Sequence, residues 1–205
     1  MIEKTAYEKL RTKVFGIIEG LTIMDSKYFN VRKALVFGES VHNGQRKDGS
    51  KEFSHQLEML AFALSLHELL LNPYAVYMSI ILHDLYEDYP ERLSDIRAQF
   101  PEEEKYSIRL SKIKDQNLGT YFFYFNEIGK CEVCSVVKLI DRVHNLSTAP
   151  GVFSKEKLLD YCDEAVTYFF PMASAAKTIH NQRGVYEVLK NVLQIQINTI
   201  RKLSE

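Results

Sequence analysis

Four side chains offer the donor set of a transition-metal centre: His55, the adjacent pair His83-Asp84, and Asp141. His55 follows a basic stretch, and His83-Asp84 closes the apolar run Met78-Ser79-Ile80-Ile81-Leu82. Asp141 is embedded in Val136-Val137-Lys138-Leu139-Ile140-Asp141-Arg142-Val143. Neutral imidazole nitrogen and carboxylate oxygen suit manganese, iron, zinc or cobalt better than magnesium or calcium. Helical proteins assemble such sites from side chains on facing helices. A carboxylate inside an apolar stretch either finds a partner or stays protonated, and a bound cation removes that difficulty for Asp84 and Asp141. The spacings, 28 residues from His55 to His83 and 57 from Asp84 to Asp141, form no compact metal motif. Residue types and spacing therefore leave hydrogen-bonded structural roles open for all four.

Two further groups add chemistry around this set. Glu87 lies four residues after His83 and Asp88 four after Asp84, so a continuous helix would project them as a second acidic layer. Three carboxylates within five residues repel one another, and a nearby cation turns that repulsion into attraction; a solvated acidic helix end is the alternative. Downstream, Lys138, Asp141, Asn145 and Thr148 follow spacings of three and four, so they share one stripe of one helix. An ammonium, a carboxylate, an amide and a hydroxyl are poor core material and a good wall for a polar ligand.

The elements that must position these groups are helical. Ile2, Tyr7, Leu10, Val14, Phe15, Ile17 and Ile18 follow a 3.6-residue period, and a second helix is expected from about Lys27 to Val41, capped by Asp25 or Ser26. Residues 42–53, HNGQRKDGSKEF, have no apolar spine and read as an electropositive loop. Ser54 caps an expected third helix through Leu71, and Pro73 opens a fourth that runs through SIILHDLYE to Tyr89-Pro90. Short helices follow at 93–100 and 101–114, then a looser aromatic stretch, TYFFYFNEIGK. A strong amphipathic helix spans 131–147 and ends at Ala149-Pro150-Gly151; Ser154 caps the next, Pro171 kinks or interrupts it, and a last helix covers about 184–203. No repeat and no regular β-alternation beyond YFFYF is present, so the expected class is all-α around one core, as a single domain over 1–205.

Composition narrows the function classes. Over 205 residues, 26 Lys+Arg balance 27 Asp+Glu for a net charge of −1, which argues against a duplex-binding protein held by global charge. The greasiest stretch, Leu60 to Leu71, is too short for a membrane span and carries His67 and Glu68, and the first residues lack a signal-peptide core. Three cysteines cannot all pair within the chain, which points to a reducing cytoplasm. Cys131 and Cys134 have redox or zinc spacing but no second such pair, and together with Cys162 they read as buried apolar residues. His42 reads as a surface-loop histidine or a phosphate contact, and His67, His144 and His180 as structural or exposed.

The strings HNGQRKDGSKEFSH (42–55), SIILHDLYED (79–88) and VKLIDRVHNLST (137–148) resemble the hydrolase domain of the RelA/SpoT alarmone enzymes, within the HD metal-dependent phosphohydrolases. That family's motifs run approximately H-x-x-Q-x-R-K-x-G before a metal-binding His, then L-L-H-D-x-x-E-D, then K-L-x-D-R-x-x-N-x-x-T. FFPMA (169–173) is similar to the family's Y-A-P-L-A, and the resemblance covers about residues 30–175. With one further helix and no synthetase half, the chain resembles a stand-alone small alarmone hydrolase of the metazoan SpoT-homologue type.

The resemblance implies an HD-domain helical bundle with a central metal site. It makes His55, His83, Asp84 and Asp141 the ligands of Mn²⁺ or another divalent transition metal. Glu87 and Asp88 become the pair that orients and deprotonates the attacking water. It makes Arg46 and Lys47 the loop residues that hold the nucleotide, with Asn145 and Thr148 facing the ribose and 3′-phosphates. Lys138 adds a positive charge for phosphate, and Lys157 with Tyr161 matches a nucleotide-pocket pair across a variable loop. The implied reaction converts guanosine tetra- or pentaphosphate to GDP or GTP plus pyrophosphate. Adenosine alarmones, NADPH and phosphorylated RNA ends remain open as other substrates, as does an antitoxin role towards a toxic synthetase. A homo-oligomer and a cognate synthetase or toxin are the macromolecular partners left open. One departure is Gln56, where the family carries Pro after its metal His; it is expected to alter how the helix begins more than the chemistry.

Overall fold

The computed structural model describes residues 5–111 and 118–204. Those residues form twelve α-helices with short 3₁₀ and π turns and no strand, so the chain is all-α; a lone bridge joins Gln45 to Lys51. Two compact units divide the chain: Met1–Ser65 with Pro73–Ile108, and Leu66–Asn72 with Arg109–Glu205. No helix among the described residues is long and apolar enough to cross a membrane. Ile2 and residues 112–114 of the helix expected over 101–114 lie outside the described residues.

In the first unit, α1 (Ala6–Met24) starts with a capping box in which Thr5 and Glu8 satisfy each other's backbone amides. A 3₁₀ turn at Ser26–Tyr28, capped by Asp25, leads into α2 (Phe29–Val41). Next come α3 (Ser54–Ser65) and α4 (Pro73–Leu82), which is buried on every side from Ala75 to Leu82. A helix apolar all round belongs in a core, and α2 and α3 both pack on it. Leu35, Leu57, Leu60, Val76, Tyr77, Ile80 and Ile81 fill the space between them. Gly38 permits close packing there, because a Cβ would come within 2.8 Å of the Phe53 ring and 3.1 Å of Ile81. Phe53, 1 % exposed, thereby pins the end of the 42–53 loop to the core.

Two expected helices are shorter than the period suggests. Ser54 is the first residue of α3 rather than its cap, and the helix ends at Ser65, followed by a 3₁₀ turn at His67–Leu69. The run through SIILHDLYE breaks at His83-Asp84: α4 stops at Leu82, and α5 is only Leu85–Asp88. Asp84 stands at the N-terminal cap of α5 by its backbone, whose carbonyl accepts Asp88 N at 2.9 Å and Glu87 N at 3.1 Å. Thus Asp88 keeps its helical relation to Asp84, while Glu87 does not keep one to His83. Then α6 (Leu93–Gln99) and α7 (Glu104–Leu110) follow.

In the second unit the stretch expected to be loose is instead α8 (Leu118–Gly129). Its buried Tyr124, Phe125 and Ile128 share one face, and Phe125 stacks on Tyr168 with centroids 5.3 Å apart. The exposed Phe122 and Phe123 interrupt that pattern when the residues are read as a string. Following α8, α9 (Glu132–Thr148) packs its apolar face against α12 (Arg183–Leu203) through Val133, Val136, Val137, Ile140, Leu189 and Leu193. Between them run α10 (Lys155–Glu164), capped by Ser154, and α11 (Phe170–Ile179). The kink ahead of Pro171 takes the form of a π turn at Ala165–Phe169, as suits a residue that has no amide hydrogen to donate. Tyr186 is fully buried with its hydroxyl held by Ser135 Oγ at 2.7 Å and Gln182 Nε2 at 3.0 Å. All three cysteines are free and buried; Cys131 is the cap of α9 rather than part of the helix.

Candidate functional site

His55 comes from the first turn of α3, and His83 and Asp84 from the break between α4 and α5. One ligand atom of each lies within 4.8 Å of the others. Asp84 Oδ1 is 2.9 Å from His83 Nε2, Oδ2 is 3.9 Å from His55 Nε2, and the two imidazole centroids are 5.6 Å apart. Both rings are buried at 5 % exposure. His83 Nδ1 lies 2.8 Å from the carbonyl of Ile80, which can only accept, so this nitrogen carries the ring proton. In the neutral ring Nε2 then presents its lone pair to the Asp84 carboxylate. Two lone pairs at 2.9 Å repel unless a cation or an added proton lies at that point, and N, N and O donors are the set a divalent transition metal takes. The residues present fit such an ion.

The helix break explains this convergence. Had α4 continued, Asp84 would have followed the helix rotation away from His83. At the cap of α5 its side chain makes no capping bond and is left to face the two imidazoles. Glu87 and Asp88 lie just beyond, on the exposed side of α5. Desolvation, and then the charges of Asp84, Glu87 and Glu52, push the Asp88 carboxyl above the usual carboxylate range.

Before α3 runs the basic loop. It is closed by Arg46 N to Ser50 O and Gly49 N to Arg46 O, both 2.9 Å, with Gly49 in the left-handed region at φ 81°. Asp48 accepts the Ser50 amide and hydroxyl, which lowers its own pKa. This turn holds Arg46 half-buried and Lys47 exposed at its tip. Glu52 ties the loop down by accepting Gly44 N at 3.0 Å and the Tyr89 hydroxyl at 2.7 Å.

His42 is not a surface histidine: it is 5 % exposed, with Phe53 and Tyr89 against its ring. Gln56, 2 % exposed, reaches His42 Nε2 at 3.3 Å and Asp84 Oδ2 at 3.4 Å with its amide nitrogen. Gln56 therefore does more than start a helix. Nothing in the string of residues marks this, since the contact spans 28 positions.

The remaining candidates belong to the second unit. On α9 the Asp141 carboxylate accepts Asn145 Nδ2 at 2.7 Å and pairs with the buried Lys138 ammonium at 3.5 Å. These three side chains line a pocket of about 300 Å³ together with Tyr121, Arg142, Tyr161 and Glu164. Thr148, on the same stripe, donates to the carbonyl of His144 at 3.1 Å. Lys157 lies over the Phe153 ring at 4.0 Å and 5.9 Å from the Tyr161 centroid, so the expected pair are neighbours. Among the lining residues, Tyr121, Arg142 and Glu164 form a polar cluster that the sequence does not announce. Arg142 lies between the rings of Tyr161 and Phe169, 4.6 and 4.4 Å away, and pairs with Glu164, which also accepts the Tyr121 hydroxyl at 3.0 Å. Burial and Glu164 push Tyr121 up to about 12. An Arg beside apolar residues in a helix carries no signal of its own until the aromatic partners from α10 and the π turn are in place.

At the start of α9, Cys131 Sγ accepts Cys134 N at 3.4 Å. The hydrogen bond from Cys134, together with backbone amides of the helix N-terminus, lowers the Cys131 thiol to about 6, and the same bond with burial raises Cys134. No family model matches this chain.

Proposed function

We propose that this protein is a metal-dependent phosphohydrolase of the HD type, acting on the 3′-pyrophosphate of guanosine tetra- or pentaphosphate. One observation carries the reading: two buried imidazoles and a carboxylate converge within 4.8 Å, with the His83 lone pair facing Asp84. The resemblance of the motifs to alarmone hydrolases supplies the substrate class, and adds Asp141 as a fourth ligand.

His55, His83 and Asp84 would hold the ion, and Mn²⁺ is the resemblance's choice. When bound, such an ion lowers the pKa of water and polarises a phosphoryl oxygen. The chain's own residues do the rest. Asp88, its carboxyl raised above the usual carboxylate range by desolvation and neighbouring carboxylates, is suited to take a proton from the attacking water, with Glu87 orienting it. A new bond forms from the water oxygen to the phosphorus on the 3′-oxygen. The bond between them breaks, and the 3′-oxygen gains a proton as pyrophosphate leaves. Arg46 and Lys47 supply phosphate contacts, bidentate from the guanidinium and mobile from the ammonium. Within the second unit, Lys138, Asn145 and Tyr161 line a pocket with a cation, an amide and an aromatic face, groups suited to a polar ligand.

The test is incubation of metal-stripped protein with guanosine tetraphosphate, with and without Mn²⁺, and separation of the products by ion exchange. GDP plus pyrophosphate, formed only with metal and lost in Glu87→Ala/Asp88→Ala, is the expected result. Release of single phosphate would move the protein to other phosphatase chemistry. Turnover only of adenosine alarmones, NADPH or RNA ends would keep the chemistry and change the substrate. Metal binding without turnover of any of these would favour a binding role, such as an antitoxin.

A further inference from the structure

We propose that Gln56 is a positioning residue for Asp84, oriented by His42, and that this pair sets the affinity of the His55-His83-Asp84 centre for a divalent transition metal. The inference rests on the metal reading above. His42 Nδ1 is 2.9 Å from the Gly38 carbonyl, which can only accept, so Nδ1 carries the proton and the neutral ring offers Nε2 as an acceptor. Asp84 Oδ2 is an acceptor as well. The Gln56 amide has one donating and one accepting end, and its nitrogen lies 3.3 Å from His42 Nε2 and 3.4 Å from Asp84 Oδ2. Its two hydrogens serve both. A flipped amide would set Oε1 against two acceptors at once, so the network decides the orientation.

A second observation points the same way. Gln56 Oε1 is buried and has no hydrogen-bond partner among the described residues. A buried orphan acceptor is unfavourable, and it is tolerated here because the donating end is engaged twice. Around the amide everything is fixed: Phe53 and Tyr89 hold the His42 ring, and the tight approach at Gly38 holds Phe53. At 3.3–3.4 Å the amide steers the carboxylate without neutralising it. The other carboxylate oxygen, Oδ1, is turned towards His83. Partners of this kind, one step behind a ligand, typically change metal affinity by about 10- to 100-fold.

The experiment is calorimetric titration of Mn²⁺ into the metal-stripped full chain, for wild type, Gln56→Met, His42→Phe and the double variant. Thermal melts of each metal-free protein accompany it. Gln56→Met keeps length and burial and removes the amide. It is expected to weaken Mn²⁺ binding about 10-fold or more, with the metal-free melting temperature unchanged. His42→Phe is expected to do the same, and the double variant no worse than the weaker single one, because each breaks the same chain of contacts. Wild-type affinity in Gln56→Met overturns the inference and leaves the metal reading intact. Additive losses in the double variant also overturn it, since His42 would then act by another route. If Gln56→Met melts lower, His42→Phe decides: unchanged affinity there removes the orienting role. A wild type that binds neither Mn²⁺ nor Zn²⁺ removes the metal reading, and this inference with it.

Discussion

The two units handle buried polar groups in opposite ways. On α9, Asp141 is answered by its own helix: Asn145 donates to one oxygen and the Lys138 ammonium lies near the other. Nearby, Arg142 is matched by Glu164 and covered by two rings. At the α4–α5 break, by contrast, the His83 Nε2 lone pair and the Asp84 carboxylate meet acceptor to acceptor beside His55, with Gln56 as the donor that steers the carboxylate. A set of groups whose charges close internally is suited to bind something by exchanging partners. A set that brings lone pairs together calls for a cation, or an added proton, between them. The same residue types, carboxylate beside base, thus carry different chemistry in the two places.

The largest effect expected from this contrast comes from His83→Ala. With one imidazole gone, the remaining donors no longer enclose an ion. Mn²⁺ binding by calorimetry should be lost, and with it turnover of guanosine tetraphosphate by about 10³-fold or more. Asn145→Ala should instead retain Mn²⁺ binding and raise KM, because it removes a pocket wall and a partner of Asp141, not one of the three converging donors. Equal loss of metal in both variants would erase the distinction. Asp141→Asn separates a third possibility: weakened Mn²⁺ binding there supports the fourth-ligand role that the resemblance assigns.

Arg142 tests the closed set directly. Its guanidinium is 7 % exposed, stacked between Tyr161 and Phe169, and paired with Glu164. Arg142→Ala strands Glu164 beside a cavity, and breaking a buried pair on one side costs about 3–5 kcal/mol. For a chain of this size that is a fall of roughly 6–20 °C in melting temperature. Partial exposure of Glu164 puts the expected value at the lower end. Mn²⁺ affinity should not follow. A variant that melts like wild type would mean that the aromatic rings, and not the ion pair, hold the pocket together.

How much of this was visible in the residues differs between the units for a physical reason. The α9 stripe follows from spacings of three and four on one uninterrupted helix, so Lys138, Asp141 and Asn145 were legible before any packing was known. The caps at Asp25 and Ser154, the loop over 42–53 and the all-α class rest on equally local signals. The break at His83-Asp84 was not legible, because the apolar run before it and the acidic run after it both continue a helical pattern. There, α4 ends at Leu82 and Asp84 caps a new short helix while its carboxylate lies by two imidazoles. Nor could Gln56 or His42 be read as partners of Asp84, since they join it from a different helix and from the loop. Helix α8 was missed because Phe122 and Phe123 are exposed, which hides the buried face of Tyr124, Phe125 and Ile128.

The smallest effect expected is also the sharpest test of unbalanced charge in the first unit. Desolvation comes first among the causes that raise the Asp88 carboxyl, followed by the charges of Asp84, Glu87 and Glu52, with His42 opposing. A carboxyl whose folded pKa is raised binds its proton more tightly in the folded state than in the unfolded one. Stability of the metal-free protein therefore declines as pH rises from the ordinary carboxylate range through the raised value, and Asp88→Asn should remove that decline. Asp88 is exposed, so solvent screening keeps the gain at neutral pH small, under about 0.5 kcal/mol. That corresponds to roughly 1–2 °C in melting temperature. Mn²⁺ is expected to relieve the same repulsion in the wild type, so the metal should stabilise Asp88→Asn by slightly less than it stabilises wild type. Equal stabilisation of the two, measured by melting with saturating Mn²⁺ at pH 7, would show that the acidic turn and the metal centre do not feel each other. In that case Asp88 would be a solvated helix end and no longer a candidate base.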